Sequence, residues 1–203
     1  MFQHSGYAVF TDGKRYSWNT LKLLWVGKKY GFNSASIKRH EIEKDAFKNC
    51  KTLMKIKIPE GITIIGRKAF LNCENLVSVE FPKTLELVKN SFIGCSLLSS
   101  VHFPKNGNCS SFGAYTFYNC VSLKTVHLSP KTKYISSSMF DGCASLEEVY
   151  VYGNLKRICD YAFFGCTKLK LFCFQGTKEQ FQDLHIDESN IMLKRVIKIK
   201  EVK

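Results

Sequence analysis

One spacing constrains this chain more than anything else in it. Phe-x-x-Cys occurs six times, at Phe47/Cys50, Phe70/Cys73, Phe92/Cys95, Phe117/Cys120, Phe140/Cys143 and Phe163/Cys166, in steps of 23, 22, 25, 23 and 23 residues. A leucine follows each phenylalanine by six residues: Leu53, Leu76, Leu98, Leu123, Leu146 and Leu169. From it runs Leu-x-x-Φ-x-Φ, where the apolar pairs are Ile56/Ile58, Val79/Phe81, Val101/Phe103, Val126/Leu128, Val149/Val151 and Phe172/Phe174. Pro59, Pro82, Pro104 and Pro130 close four of the runs. A further apolar residue stands five before each phenylalanine: Ile42, Ile65, Leu87, Phe112, Ile135 and Ile158.

The two Φ positions are two residues apart, so they point the same way from a short strand. Proline after the strand has no N–H to donate and stops the ladder. The Phe-to-Leu arc never varies, as a tight buried turn requires. The arc from leucine to the next phenylalanine varies between 16 and 19 residues and so tolerates insertions. One such unit cannot bury its own apolar face, but a stack can. The expectation is an α/β repeat solenoid: a right-handed stack with a parallel sheet on one face and short strands, turns or 3-10 segments on the other. At ~4.8 Å per strand the six strands should make one continuous sheet roughly 30 Å long.

Composition agrees. Of 203 residues, 45% are hydrophobic and 23% charged, which excludes a disordered chain. The longest early apolar run, Leu23-Leu24-Trp25-Val26, is too short for a membrane span. No low-complexity linker interrupts the chain, so residues 1–203 read as a single domain.

The pattern Phe-x-x-Cys-x-x-Leu-x-x-Φ-x-Φ-Pro, with Ile-Gly-Arg-Lys-Ala-Phe at 65–70 and Ile-Cys-Asp-Tyr-Ala-Phe at 158–163, resembles the BspA-type leucine-rich repeat. Residues 37–175 carry the resemblance. Thr20–Val26 is similar to the degenerate first strand of such proteins, and Gly176–Phe181 to the short helix that closes them. The resemblance implies a leucine-rich-repeat fold, no catalysis, and partner binding or adhesion at a cell surface. By contrast, the residues after Met1 form no charged-then-apolar leader, which favours the cytoplasm. The ends also read as caps in their own right. Residues 1–36 should cover the first coil. In 176–203, Thr177 and Gln180 form a capping-box pair, and Val196–Lys200 suits a lysine-protected edge strand.

Six of nine cysteines hold one repeat position, which reads as a buried ladder of small apolar thiols. Stacked coils would also permit bridges between neighbours. Cys109, Cys159 and Cys173 fall outside the ladder. No Cys-x-x-Cys is present, so no zinc knuckle is expected. Asn108-Cys109-Ser110 is a formal glycosylation sequon.

Function in a solenoid belongs to the outward strand positions. One column runs Lys55, Ser78, Ser100, Thr125, Glu148 and Leu171; the next runs Lys57, Glu80, His102, His127, Tyr150 and Cys173, with Trp25 ahead of it. Lys55, Lys57, Ser78, Glu80, Ser100, His102, Thr125, His127, Glu148 and Tyr150 are therefore the candidate partner-binding residues. His102 and His127 beside Glu80 and Tyr150 could take a metal or respond to pH, but nothing supplies a third close ligand, so they read as ordinary histidines on a polar face and no metal site is expected. There is no phosphate-binding glycine loop and no paired-carboxylate motif, so neither catalysis nor a cofactor is expected.

The net charge is +13. Residues 1–60 hold 12 basic against 5 acidic residues, including Lys28-Lys29 and Lys38-Arg39. The chain therefore reads as a non-enzymatic binding module with a protein partner. A polyanion (nucleic acid or anionic glycan) bound by the basic N-terminal region is one alternative. A structural or oligomerisation spacer is another.

Overall fold

The computed structural model describes residues 7–17, 29–31 and 40–201. The first strands are β1 (Tyr7–Phe10), β2 (Arg15–Ser17), β3 (Glu41–Ile42), β4 (Leu53–Lys57), β5 (Ile64–Ile65), β6 (Ser78–Glu80), β7 (Leu87–Val88) and β8 (Ser100–His102). Then come β9 (Ser111–Phe112), β10 (Thr125–His127), β11 (Tyr134–Ile135), β12 (Glu148–Tyr152), β13 (Arg157–Ile158) and β14 (Leu171–Gln175). The chain ends with helix α1 (Lys178–Gln182), β15 (His185–Ile186), a kinked 3-10 segment over Glu188–Arg195, and β16 (Ile197–Lys200). The long strands form the front of a β-solenoid and the two-residue strands its back. Every coil-to-coil pairing is parallel.

The phenylalanine of each coil stacks on the next. Ring centroids are 5.1, 4.9, 5.4, 5.6 and 5.4 Å apart from Phe47 to Phe163, with planes within 18° of parallel. All six rings are fully buried. The cysteine three residues on has a specific task. Its amide N–H donates back to its own coil's Phe carbonyl, as Cys73 does to Phe70 at 3.2 Å. Its thiol donates to the Phe carbonyl of the preceding coil: Cys73 to Phe47 at 3.0 Å, then Cys95 to Phe70, Cys120 to Phe92, Cys143 to Phe117 and Cys166 to Phe140, each at 3.1 Å. Each Phe carbonyl from Phe47 to Phe140 thus accepts two hydrogen bonds. The ladder thiols are donors as well as fillers, and all nine cysteines are free. Burial pushes the ladder thiols up, Cys166 to about 12.

The tight turn depends on left-handed backbone. Asn49, Asn72, Gly94, Asn119, Gly142 and Gly165, each just before the ladder cysteine, all have positive φ. Asparagine and glycine are the residues that accept this region most readily. At Gly142 there is no room for a side chain either, since a Cβ would lie 2.1 Å from Asn119 Oδ1.

Two expectations change. The front sheet is not continuous: it divides into a four-stranded sheet β2-β1-β4-β6 and a five-stranded sheet β8-β10-β12-β14-β16. The strands that flank the division, β6 and β8, have only three residues each and few ladder bonds to lose. Inside, Phe81 and Phe103 stack at 4.3 Å across the gap. Second, the inward residue of the third coil's back strand is Val88, not Leu87: Ile65 pairs with Val88, which pairs with Phe112. The one-residue deletion in that coil falls between the back strand and Phe92, so counting back five overshoots Val88 by one residue. Cys109, outside the thiol ladder as expected, is buried at the position that Ile62, Leu85, Thr132 and Leu155 hold in the other coils.

At the N-terminal end, Ala8 of β1 and Tyr30 join the core. The β1–β2 hairpin runs antiparallel to β4. The expected first strand at Thr20–Val26 lies outside the described residues. At the other end, Thr177 and Gln180 exchange both capping-box hydrogen bonds on α1, and β16 pairs with β14 as the last strand.

Phe117→Ala should cost about 3–5 kcal/mol, because it empties a ring sandwiched between Phe92 and Phe140; urea denaturation measures this. Thr132 sits in the apolar column with its hydroxyl buried and unpartnered. Thr132→Val keeps the shape and removes that unmet group, so it should raise stability by about 1 kcal/mol in the same assay.

Candidate functional site

The candidate residues project from the front strands because side chains alternate along a strand and the Φ positions take the inward side. Lys55 and Lys57 pair in register with Ser78 and Glu80. Ser100 and His102 pair with Thr125 and His127, which pair with Glu148 and Tyr150. The two columns exist as drawn from the sequence, in two groups split by the gap between β6 and β8.

The first group is held by charge. Lys57 Nζ lies 3.2 Å from Glu80 Oε2. The position beside Lys57, expected for Trp25, is taken by Tyr7, whose hydroxyl donates to Glu80 Oε1 at 3.3 Å. Trp25 itself lies outside the described residues. The alternating stretch Tyr7-Ala8-Val9 was the available signal for this strand, but it lies outside the repeat register. Arg15 adds its guanidinium 3.7 Å above the Tyr7 ring. Glu80 is therefore committed to Lys57 and Tyr7, not to the histidines.

The second group is a ring ladder. His102 and His127 lie 4.7 Å apart, and His127 and Tyr150 stack at 4.2 Å with planes 10° apart. The Tyr150 hydroxyl donates to Glu148 Oε2 at 2.9 Å, which fixes the ring. Burial lowers the His102 pKa from its usual range. Burial lowers His127 too, with help from His102 and Lys105 and against Glu148. The hydrogen bond to Glu148 raises the Tyr150 pKa. At neutral pH the three rings are thus an uncharged strip, His102 exposed and His127 and Tyr150 half-buried, bordered by Ser100 and Thr125. Among the described residues no group of three or more His, Cys, Asp or Glu side chains could hold a metal ion. The described helices include none long and apolar enough to cross a membrane.

Both imidazoles take up protons less readily in the folded chain. Between their folded values and the ordinary 6.5, the unfolded chain binds more protons. Their contribution to stability is therefore complete above pH 6.5 and fades as pH falls through the folded values. Replacing both by glutamine should flatten the stability profile below that pH relative to wild type; urea midpoints across a pH series test it.

Comparison with known proteins places this geometry. The family described as BspA type leucine-rich repeat region matches residues 40–193 in six copies. Among solved structures, the T. pallidum leucine-rich repeat protein aligns at 22% identity and a TM-score of 0.51, covering 79% of this chain and 78% of its own. The pneumococcal vaccine antigen PcpA aligns at 20% identity and 0.62, covering 96% of this chain and 48% of its own. A Eubacterium ventriosum leucine-rich repeat protein aligns at 19% and 0.61, covering 84% and 42%. The chain thus spans less than half of the last two. At these identities the likeness concerns the fold alone. No curated protein sequence matches.

Proposed function

The chain belongs to the BspA-type leucine-rich-repeat family, and from that premise we propose that it is a binding module whose front face docks a protein partner on the His102–His127–Tyr150 strip. The observation that carries this is the ring ladder itself. Three rings stand in register on adjacent parallel strands, each strand bonded to the next, so little ordering cost falls on binding. Tyrosine held by a hydrogen bond within a preformed patch is the kind of residue that anchors an interface. Ser100 and Thr125 beside the strip are small and leave it accessible. Adhesion would be one use of such a face.

A polyanion partner is less well supported. Several basic residues near the N-terminal end already face carboxylates: Lys57 with Glu80, Lys51 with Glu74, and Lys29 with Asp12.

Ser100→Arg combined with Thr125→Arg puts two long cations at the edge of the strip without touching the core. In affinity capture from the source organism's extracts, the double variant should lose most of the partners that wild type retains. Recovery of the same partners by both proteins would remove the strip from the interface. Partners that wash off in proportion to log salt concentration would instead favour polyanion contacts.

A further inference from the structure

The two ends of the solenoid are finished differently. At the N-terminal end an antiparallel hairpin covers β4. At the C-terminal end the front sheet stops at β16, whose one pairing partner among the described strands is β14. The Val196 and Lys200 carbonyls accept from Phe172 and Gly176 of the preceding coil. The alternation of strand backbone therefore turns the N–H and C=O groups of Ile197 and Ile199 away from β14, to the open edge.

Beside this edge lies an apolar cavity of about 710 Å³, lined by Phe181, Leu184, Ile186, Ile197 and Ile199, with Gln182 and Lys194 also on its wall. Ile197 and Ile199 continue the inward register of Phe172 and Phe174. Lys198 and Lys200 continue the outward register of Cys173 and Gln175. Four exposed cations thus fall within seven residues: Lys194, Arg195, Lys198 and Lys200. None of them has an ion-pair partner among the described residues.

We propose that β16 is a docking edge for an extended partner segment in which apolar and acidic residues alternate. The segment adds as the next strand by main-chain hydrogen bonds to Ile197 and Ile199. Its inward side chains enter the cavity, and its outward carboxylates sit beside Lys198 and Lys200. A second copy of this chain fits poorly, because β16 against β16 would set these lysines against one another. This surface is separate from the His102–His127–Tyr150 strip, and neither depends on the other.

The probe is a fluorescent eight-residue peptide of alternating glutamate and valine, titrated with the full chain and read by anisotropy. Two control peptides accompany it: one with lysine in place of glutamate, and one with the same composition in two blocks. The alternating acidic peptide should bind saturably and more weakly as salt rises, and both controls should bind at least about tenfold more weakly. Lys198→Glu combined with Lys200→Glu should weaken the peptide at least about tenfold. Ile199→Pro removes an N–H that faces the open edge, not β14, so it should abolish binding while leaving the thermal midpoint close to wild type. Circular dichroism melts of both variants confirm that they fold. The proposal is overturned if the acidic peptide fails to bind, if either control binds as well, or if folded Ile199→Pro binds like wild type. A concentration-dependent dimer in sedimentation, abolished by Ile199→Pro, would also overturn it and assign the edge to a second copy.

Discussion

The structure depends on one shared acceptor. In each inner coil the phenylalanine carbonyl takes the amide of its own cysteine and the thiol of the cysteine one coil later. The first bond closes the turn and the second fixes the height of the next coil. The ring on the same residue stacks on its neighbours at about the separation of two strands. One residue type therefore sets turn shape, coil spacing and core volume together. That coupling accounts for a Phe-to-Leu arc that never varies while the opposite arc gains and loses residues.

Coil spacing in turn creates the front face. When every coil rises by the same amount, the outward residues of successive strands fall into columns, and rings in one column stack. His102, His127 and Tyr150 stack because the phenylalanines behind them do. The ladder cysteines are already committed to structure, since burial raises their thiol pKa and each thiol is a hydrogen-bond donor. The repeat permits variation on the outward columns and at the ends, which is where both proposals place their surfaces.

Much of this was legible from spacing alone. The strands, the buried columns, the ladder position of the six cysteines and the Thr177–Gln180 cap all follow from counting residues and matching side chains to periods. What escaped the sequence did so for identifiable reasons. Leu87 stands in the repeat count where Val88 stands in the structure because a fixed offset of five ignores the residue missing between Val88 and Phe92. The division of the front sheet depends on the seating of two three-residue strands, and equal spacing conceals it. Tyr7 reached the site column through an antiparallel hairpin, a connection that no repeat register describes. The thiol hydrogen bonds were hidden because cysteine fills space like an apolar residue and its donor shows only once the neighbouring coil is in place. The asparagine and glycine before each ladder cysteine were readable as a left-handed turn signal.

The net charge of +13 then takes on a spatial meaning. Near the first coils many cations are already answered by carboxylates, and the middle of the front face is kept neutral by two imidazoles that burial holds unprotonated. Four cations with no ion-pair partner among the described residues stand close together at the last strand, beside an open backbone edge and an apolar cavity. On the proposed readings a neutral ring strip selects by shape, while a basic edge with exposed backbone groups selects by strand pattern and charge. Because a solenoid couples each coil mainly to its neighbours, surfaces several coils apart can vary independently, and one small stack has room for both kinds of recognition.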